Sequence, residues 1–508
     1  MADKGRFTRG STLRHVAVMT ATSTVGLISL FLVDVLNLFY ISLLGEEELA
    51  AAIGFAGTFQ FFLISVSIGL AIASGATVSR AIGAGDRDAA RERAGTALAV
   101  LVAALTLVTI FALLFRGEVL ALLGATGRTA ELASRFLGIV LPGTPLLGIA
   151  MVTSGLLRAA GDARRAMIVT LSGGALAAVL DPIFIFALGL GLDGTAIVSL
   201  LTRCFIAGIG IVYVVRHHDL LGRPSRKPAQ AIADVKALAA IAGPAVATQL
   251  STPFGLAFLT SVVAAYGDEA VAGWAVIGRL GTMAFGGIYA MSGAVGPIIG
   301  QNAGAEMPDR IRSTYANALM LASGYVLVVW AILWLLTDHI VAGFGLSELG
   351  AEVVRAFTTW GAGAFMFTGW LFVSNAACNN LGRPLWATGF NWSRDAILIP
   401  LLAALLGAAA LGPATAVAIQ AAAAVIVGTG AAFATRRFLA EAAPTATAED
   451  TGMPILPAAV PFASGRALAA VPADGTSDGT GAGRGDDIGD KNDAIRPAAG
   501  LAKAEPRR

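Results

Sequence analysis

The chain reads as long apolar stretches separated by short polar ones. A bilayer core about 30 Å thick needs roughly 20 apolar residues per helix. Six stretches of that length carry no charge: residues 49–79, 94–115, 136–157, 237–267, 313–337 and 356–382. Four more carry a charge in their interior, at Asp34, Asp181, Arg203 and Arg279. Residues 384–435 are too long for one span and predict a fold-back at Leu411-Gly412-Pro413. The pattern predicts an all-α integral membrane protein with twelve transmembrane helices.

The polar connections sort the two sides. The N-terminus carries Lys4, Arg6, Arg9 and Arg14, and alternate connections are also basic. They hold Arg80, Arg87, Arg91 and Arg93; then Arg158, Arg164 and Arg165; then Arg216, Arg223, Arg226, Lys227 and Lys236. The intervening connections, such as Glu46-Glu47-Glu48 and Asp268-Glu269, are poor in Arg and Lys. Basic loops remain on the cytoplasmic side, so both termini are expected there. The N-terminus is too charged, and the first span too long, for a cleaved signal peptide. Beyond about Ala443 the sequence turns to Ala, Gly, Pro and Asp. Residues 441–508 are expected to form a disordered cytoplasmic tail.

Composition narrows the function. Hydrophobic residues make up 56% of the 508 and charged ones 13%, about half the ~25% of soluble domains. An ordinary soluble enzyme, a disordered regulator and a nucleic-acid binder are excluded. The net charge of +2 supplies no field for polyanions. Cys204 and Cys378 both sit in apolar runs and form no disulfide framework. Thirty Arg against five Lys, with abundant Ala, suggests a GC-rich bacterial genome and hence the cell inner membrane.

The two halves match at a constant offset of 221 residues. Gly83-Ala84 corresponds to Gly304-Ala305, Asp88 to Asp309, Arg91 to Arg312 and Ala97-Leu98 to Ala318-Leu319. Gly161 corresponds to Gly382, Ala166 to Ala387, Glu48 to Glu269 and Ala51 to Ala272. Six helices per half give both halves the same orientation, as parallel repeats about an axis along the membrane normal. An N-lobe is expected over residues 13–218, a cytoplasmic loop over 219–236 and a C-lobe over 237–440, around a central cleft. Transporters place substrate at such interfaces and rock one lobe against the other.

A charge at the bilayer centre costs at least about 2.5–3.5 kcal/mol on insertion scales, so its retention points to function. Asp34 lies mid-span, with Asn37 on the same helical face. Asp181 precedes Pro182, which frees the carbonyl of Ala178. A carboxylate beside a free carbonyl suits a proton or a small hard cation. Neutralisation by H+ or by Na+ removes the same burial cost. Asp34, Asp181 and Asn37 are the candidate coupling residues, with H+ or Na+ as coupling ion and no cofactor. The second half is read as lacking a matching carboxylate, so coupling is expected to be asymmetric. Arg203 is expected to reach toward a span end, and Arg279 to pair with a neighbouring span. Arg394 and Asp395, adjacent in sequence, are expected to point apart and to pair with neighbouring spans. His15, His217, His218 and His339 show no metal-ligand spacing and are read as solvated.

Met283, Phe285, Tyr289 and Met291 in the eighth span, and Phe365, Met366 and Phe367 in the tenth, could line a substrate cavity. Met and aromatic surfaces suit apolar cations. The phosphate-binding pattern Gly-x-x-x-x-Gly-Lys-[Ser/Thr] does not occur, which argues against ATP-driven transport. A lipid-linked precursor flippase would need an arginine-lined cleft, and few central basic residues are visible. A membrane enzyme would need a His, Cys or carboxylate cluster at one face, and none appears. The expected partners are a small-molecule substrate and membrane lipid, with no nucleic acid, and the chain is expected to be a monomer and not an enzyme.

Several segments resemble the multidrug and toxic compound extrusion (MATE) family over about residues 13–440. They are Asp34 with Leu44-Gly45 and Glu48-Leu49-Ala50-Ala51; Ala81-Ile82-Gly83-Ala84-Gly85-Asp86; Leu157-Arg158-Ala159-Ala160-Gly161-Asp162; and Leu180-Asp181-Pro182-Ile183-Phe184-Ile185-Phe186. Val295-Gly296-Pro297-Ile298-Ile299-Gly300-Gln301-Asn302 and Asn380-Leu381-Gly382-Arg383-Pro384 resemble the second-half counterparts. The resemblance implies cation-coupled antiport of drugs or metabolites through a V-shaped pair of six-helix bundles. It implies that Asp34 and Asp181 are the family's first-lobe carboxylates and that Ser199 is its sixth-helix hydroxyl. Three departures stand out. Ala177 replaces the family's Asn, the first-helix proline is missing while Pro244 occupies the seventh helix, and the second-lobe carboxylates of some subfamilies are absent.

Overall fold

The computed structural model describes residues 5–42, 47–406 and 412–441. The side chains of Asp34 and Asn37, residues 407–411 with Leu411 of the expected fold-back, and residues 442–508 lie outside the described residues. The first half comprises α1 (Thr12–Ser42), α2 (Glu47–Gly83), α3 (Arg87–Leu114), α4 (Arg116–Leu122), α5 (Gly127–Val140), α6 (Thr144–Ala159), α7 (Ala163–Pro182) and α8 (Gly191–Arg216). The second comprises α9 (Pro228–Ala264), α10 (Asp268–Ala284), α11 (Gly286–Gly304), α12 (Pro308–Leu335), α13 (Thr337–Gly343), α14 (Glu348–Thr359), α15 (Phe365–Asn380), α16 (Pro384–Trp392), α17 (Ile399–Leu406) and α18 (Thr415–Glu441). The fold is an all-α membrane protein with no strand among the described residues. Eight helical stretches there are long and apolar enough to cross a membrane, or nine if α10 and α11, bent by 44°, form one span.

Buried hydroxyls of α2 bond within their own helix, which satisfies them where water is absent. In α2 Ser67 donates to the Leu63 carbonyl at 3.1 Å, Ser74 to Leu70 at 2.6 Å and Thr77 to Ala73 at 2.9 Å.

The repeat is visible in the helix ends. A shift of 221 carries α3 onto α12, α4 onto α13 and α6 onto α15, residue for residue at both ends. It carries α2 onto the combined limits of α10 and α11. The turn after α6 reverses at Gly161 (φ 87°) and the one after α15 at Gly382 (φ 79°), where a side chain would be strained. The halves differ at residue 285. There α2's counterpart breaks before Gly286-Gly287, a pair that kinks helices, and Phe285 is fully buried in stacking on Phe365 at 4.2 Å.

The expected loop over 219–236 is shorter than predicted. Pro228 starts α9 at the helix position where a missing N–H costs nothing. The remaining linker packs on α3, with Leu220 buried and the Gly222 N–H donating to the Arg91 carbonyl at 3.1 Å.

The halves press together where α2 meets α11. A Cβ on Gly83 would lie 2.0 Å from the Gln301 carbonyl oxygen, and one on Gly304 would lie 2.0 Å from the Arg80 carbonyl oxygen. Arg80 and Gln301 are themselves matched by the repeat, so the joint is two-fold symmetric. Arg80 Nε also donates to the Asn380 carbonyl across the halves at 2.7 Å. Beside this joint a 3-10 turn, Arg6–Thr8, wedges Phe7 between the halves at 1% exposure. The Phe7 N–H donates to Gln301 Oε1 at 2.8 Å, and its carbonyl accepts from Arg310 Nη2 at 2.8 Å. Gln301 Nε2 completes the link by donating to the Ala159 carbonyl at 2.6 Å. All of these contacts lie at the end of the bundle that carries the N-terminus, called the basic end below.

Candidate functional site

A cavity of about 960 Å³ lies between the halves. Residues of α1, α2, α6, α7 and α8 line it from one side, and residues of α9, α10, α11, α15 and α16 from the other. Of the coupling and cavity candidates whose side chains are described, Asp181, Ser199, Tyr289 and Phe365 reach it. The other five cavity candidates do not. Phe285 lies behind the wall, stacked on Phe365, and Met291 is buried in the second-half core. Met283 is exposed, Met366 packs against the core cluster, and Phe367 packs edge-on to Trp370 at 5.0 Å. Helical spacing could not separate these residues, because successive positions turn by about 100° and only some face inward.

Asp181 is 2% exposed. Among the described residues no side chain forms an ion pair with it. Pro182 ends the regular hydrogen bonding of α7, and residues Ile183–Ala187 widen into a π-helical turn, a feature that clusters at functional sites. The Leu190 N–H donates to the Phe184 carbonyl at 3.1 Å and pins the start of α8 against this turn. Ala177, at the position where the resemblance expects Asn, also lines the cavity, as does Ser199 on α8.

The second half corrects two expectations. It does carry a buried carboxylate in the span matching α7, because Asp395 also lines the cavity. Arg394 and Asp395 do not point apart. Arg394 Nε donates to Asp395 Oδ1 at 2.7 Å and Nη2 to Oδ2 at 3.1 Å. They sit in a second π-helical turn, Ser393–Leu398, where the wider turn and the long guanidinium let adjacent side chains meet. Asp395 is backed by Gly255 of α9, where a Cβ would lie 2.9 Å from Oδ1.

Sequence reasoning missed further polar lining. Arg158, read as a loop residue, is the penultimate residue of α6 and donates to Ser154 Oγ at 2.9 Å. Arg203 does not reach for a span end: Nη1 donates to the Val140 carbonyl at 3.0 Å and Nη2 to Gln60 Oε1 at 2.7 Å. With Arg394, three guanidiniums line a cavity expected to have few. Asn375, Asn379 and Asn380 join them from α15. The signal was available, since the offset pairs Ser154 with Asn375 and Arg158 with Asn379.

Two of the histidines are also corrected, while His217 and His339 are exposed. His15 Nε2 lies 2.7 Å from the Arg9 carbonyl, and half-buried His218 lies 2.9 Å from Asp162 Oδ2. Asp162 caps α7 by accepting the Arg165 N–H at 3.0 Å, and its side chain pairs with the Arg165 guanidinium. Burial works to raise the Asp162 pKa, but these three donors outweigh it and hold the carboxyl below the usual range. Cys204 and Cys378 are free, as expected.

A family model, MatE, matches residues 22–183 and again residues 244–405, the two halves that the offset defines. The FAD transporter of Shewanella oneidensis is 27% identical over 76% of this chain and 86% of its own. The multidrug export protein MepA of Staphylococcus aureus is 24% identical over 74% and 84%. A mutant of the Vibrio cholerae MATE transporter VcmN superimposes with a TM-score of 0.79 at 25% identity, covering 85% of this chain and 97% of that one. A multidrug resistance MATE family transporter of the MOP superfamily, solved in an outward-facing conformation, shares the fold with a TM-score of 0.81 at 22% identity, covering 87% and 98%. With both halves of the chain matched, this protein belongs to the MatE family, that of the MATE transporters.

Proposed function

We propose that this protein is an inner-membrane antiporter that exports drugs or other amphiphilic, often cationic, organic compounds in exchange for H+ or Na+. The observation that carries the reading is Asp181, buried in the wall of a cavity between the halves, beside a proline-induced π turn and without a counter-charge among the described residues. Such a carboxylate is costly when charged and is relieved by binding a cation, so loading changes the preferred packing of its lobe. Ser199 on the adjacent helix supplies a further oxygen. Asp34 and Asn37 belong to the same proposed cluster.

The N-lobe spans residues 13–218 and the C-lobe, with α9 as its first helix, residues 228–440, with twelve spans in all. Beyond the nine countable stretches these include α1 and the interrupted runs α14–α15 and α16–α17. The basic end is cytoplasmic by its Arg content. Exchange follows as the lobes rock about the α2–α11 joint. The printed names of the relatives, a multidrug exporter and an FAD transporter, support a small organic substrate.

The test uses purified protein in liposomes with an ethidium load, and a pH gradient and a sodium gradient applied separately. Ethidium movement that follows one gradient, and is lost in Asp181→Asn, is the expected result. Unaltered transport by Asp181→Asn refutes the role.

A further inference from the structure

The N-terminal turn at the basic end sits in a slot that leaves no room for a side chain at residue 5. A Cβ on Gly5 would lie 2.6 Å from Gln301 Oε1 of α11 and 2.7 Å from Ile82 Cγ2 of α2. Phe7 then enters the core cluster of the second half, and the Arg6 guanidinium donates to the Gly161 carbonyl of the first half at 3.1 Å. One second-half arginine gathers the backbone of the segment. Arg310 Nη2 donates to the carbonyls of Phe7 at 2.8 Å and Arg9 at 3.3 Å, and Nη1 to that of Gly10 at 3.0 Å. Asn302 Oδ1 steadies the guanidinium by accepting from Nε at 3.0 Å. The 221-residue offset places Arg80, Ala81 and Ala89 at the positions of Gln301, Asn302 and Arg310. The two amides and the arginine that receive the segment therefore belong to the second half alone, and the repeated scaffold does without them in the other copy.

The start of α1 leans to the same side. Thr12 Oγ1 lies 2.9 Å from Ser313 Oγ and accepts from Asn317 Nδ2 at 2.8 Å, both on α12. Further along, α1 belongs to the first half, and a Cβ on Gly26 would lie 3.5 Å from Thr170 Cβ of α7. Parting the halves at this end therefore breaks contacts of the segment with one half or the other.

We infer that this slot is a peptide site filled by the chain's own Gly5–Gly10, and that the segment is a latch. It holds the basic end shut and leaves the slot each time that end opens. The inference rests on the rocking motion of the exporter reading above and adds a control over it. Phe7 is the anchor: withdrawing it exposes an aromatic ring now 1% exposed and frees its N–H and carbonyl. Release is brief, because α1 begins at Thr12 and a tether this short keeps the local concentration near millimolar. The latch thus biases which end of the cavity is open without plugging the cavity itself.

The experiment reads opening at the basic end directly. In inside-out vesicles, an impermeant maleimide is added to the full chain carrying Cys204→Ala and Ser292→Cys, a cavity-lining position. Slow labelling is expected in that background. Phe7→Ala is expected to speed it about tenfold or more, since truncating a buried Phe shifts an equilibrium by at least that factor, with Phe7→Leu intermediate. Gly5→Leu removes no packed side chain and is expected to act in the same direction, by closing the slot to the segment. A synthetic peptide of residues 5–10, supplied at the millimolar level of the tether, is expected to slow the labelling of Phe7→Ala again. The same peptide with alanine in place of phenylalanine is expected to have no effect. Unchanged labelling in either folded variant, or no slowing by the peptide, overturns the latch. If Phe7→Ala fails to fold, Gly5→Leu with the peptide decides. A wild type that moves ethidium on an imposed ion gradient, with variants that label at the wild-type rate, keeps the exporter and discards the latch. Faster labelling of the variants in a protein that answers to no gradient does the reverse.

Discussion

The two halves share a frame and differ in what they bury. Helix ends and turns coincide under one offset, because capping, chain reversal and span length are set by local rules that both copies obey. The interior polar groups do not coincide. The first half buries an isolated Asp181, whereas the second buries a bidentate Arg394–Asp395 pair. The first sets Arg158 at a position where the second sets Asn379. The first runs α2 unbroken, whereas the second breaks at Phe285. Duplication thus conserved the scaffold, while charge placement was free to specialise: a buried carboxylate with no ion-pair partner among the described residues on one side, and a neutralised one on the other.

The most forceful way to break this comparison is to neutralise each acid in turn. Asp181→Asn is expected to cut gradient-driven ethidium transport by about 10²-fold, the scale of losing a proton-handling group, with thermal stability kept or raised. Asp395→Asn is expected to act on the fold. It strands the buried Arg394 charge and costs about 3–5 kcal/mol, read as a lower unfolding temperature. The double variant Arg394→Met with Asp395→Leu should recover most of that loss, since apolar replacement of a buried pair is often neutral. If Asp395→Asn instead stays stable and uncouples transport, the asymmetry is wrong.

Next in size is the joint. Gly83→Leu and Gly304→Leu meet equivalent backbone oxygens and are each expected to cost about 1–3 kcal/mol by overpacking. Denaturation midpoints that differ widely between the two would show that the contact is not symmetric.

The smallest effect concerns the turn before α7. Asp162→Ala removes a cap worth about 1 kcal/mol. The folded pKa of Asp162 lies below its unfolded value. Its contribution is therefore complete above the ordinary carboxylate range and fades as pH falls through the lower folded value. The melting-temperature gap between wild type and variant should be flat from pH 8 to about 5 and shrink below about pH 4. The matched residue Arg383 makes no side-chain cap bond, so Arg383→Ala should show no such acid dependence.

Apolar run length and the constant offset made the membrane fold and its repeat legible in the sequence. The site was legible only in part. Asp181 was reachable because an uncompensated charge in an apolar run stands out, whereas Ser199 was reachable only through the resemblance to the family. Arg158 was hidden by the opposite rule: an arginine at the end of a charge-free run reads as a loop residue, yet α6 continues through it. The Arg394–Asp395 pair depended on a π turn that no residue pattern announces. The break at Phe285 depended on stacking with a residue 80 positions away. The Phe7 wedge lies in a short charged stretch that composition treats as mere topology signal.

The glycine joint between α2 and α11 bears on ancestry. Each copy contributes both the hollow and the carbonyl that fills it, so the surface is complementary to itself. A forebear of half this length could have closed into a two-fold homodimer through the same contact, before a linker ever joined the copies. Gene fusion would then have added no new interface. It would only have allowed the two partners, once bound to be identical, to acquire different charges.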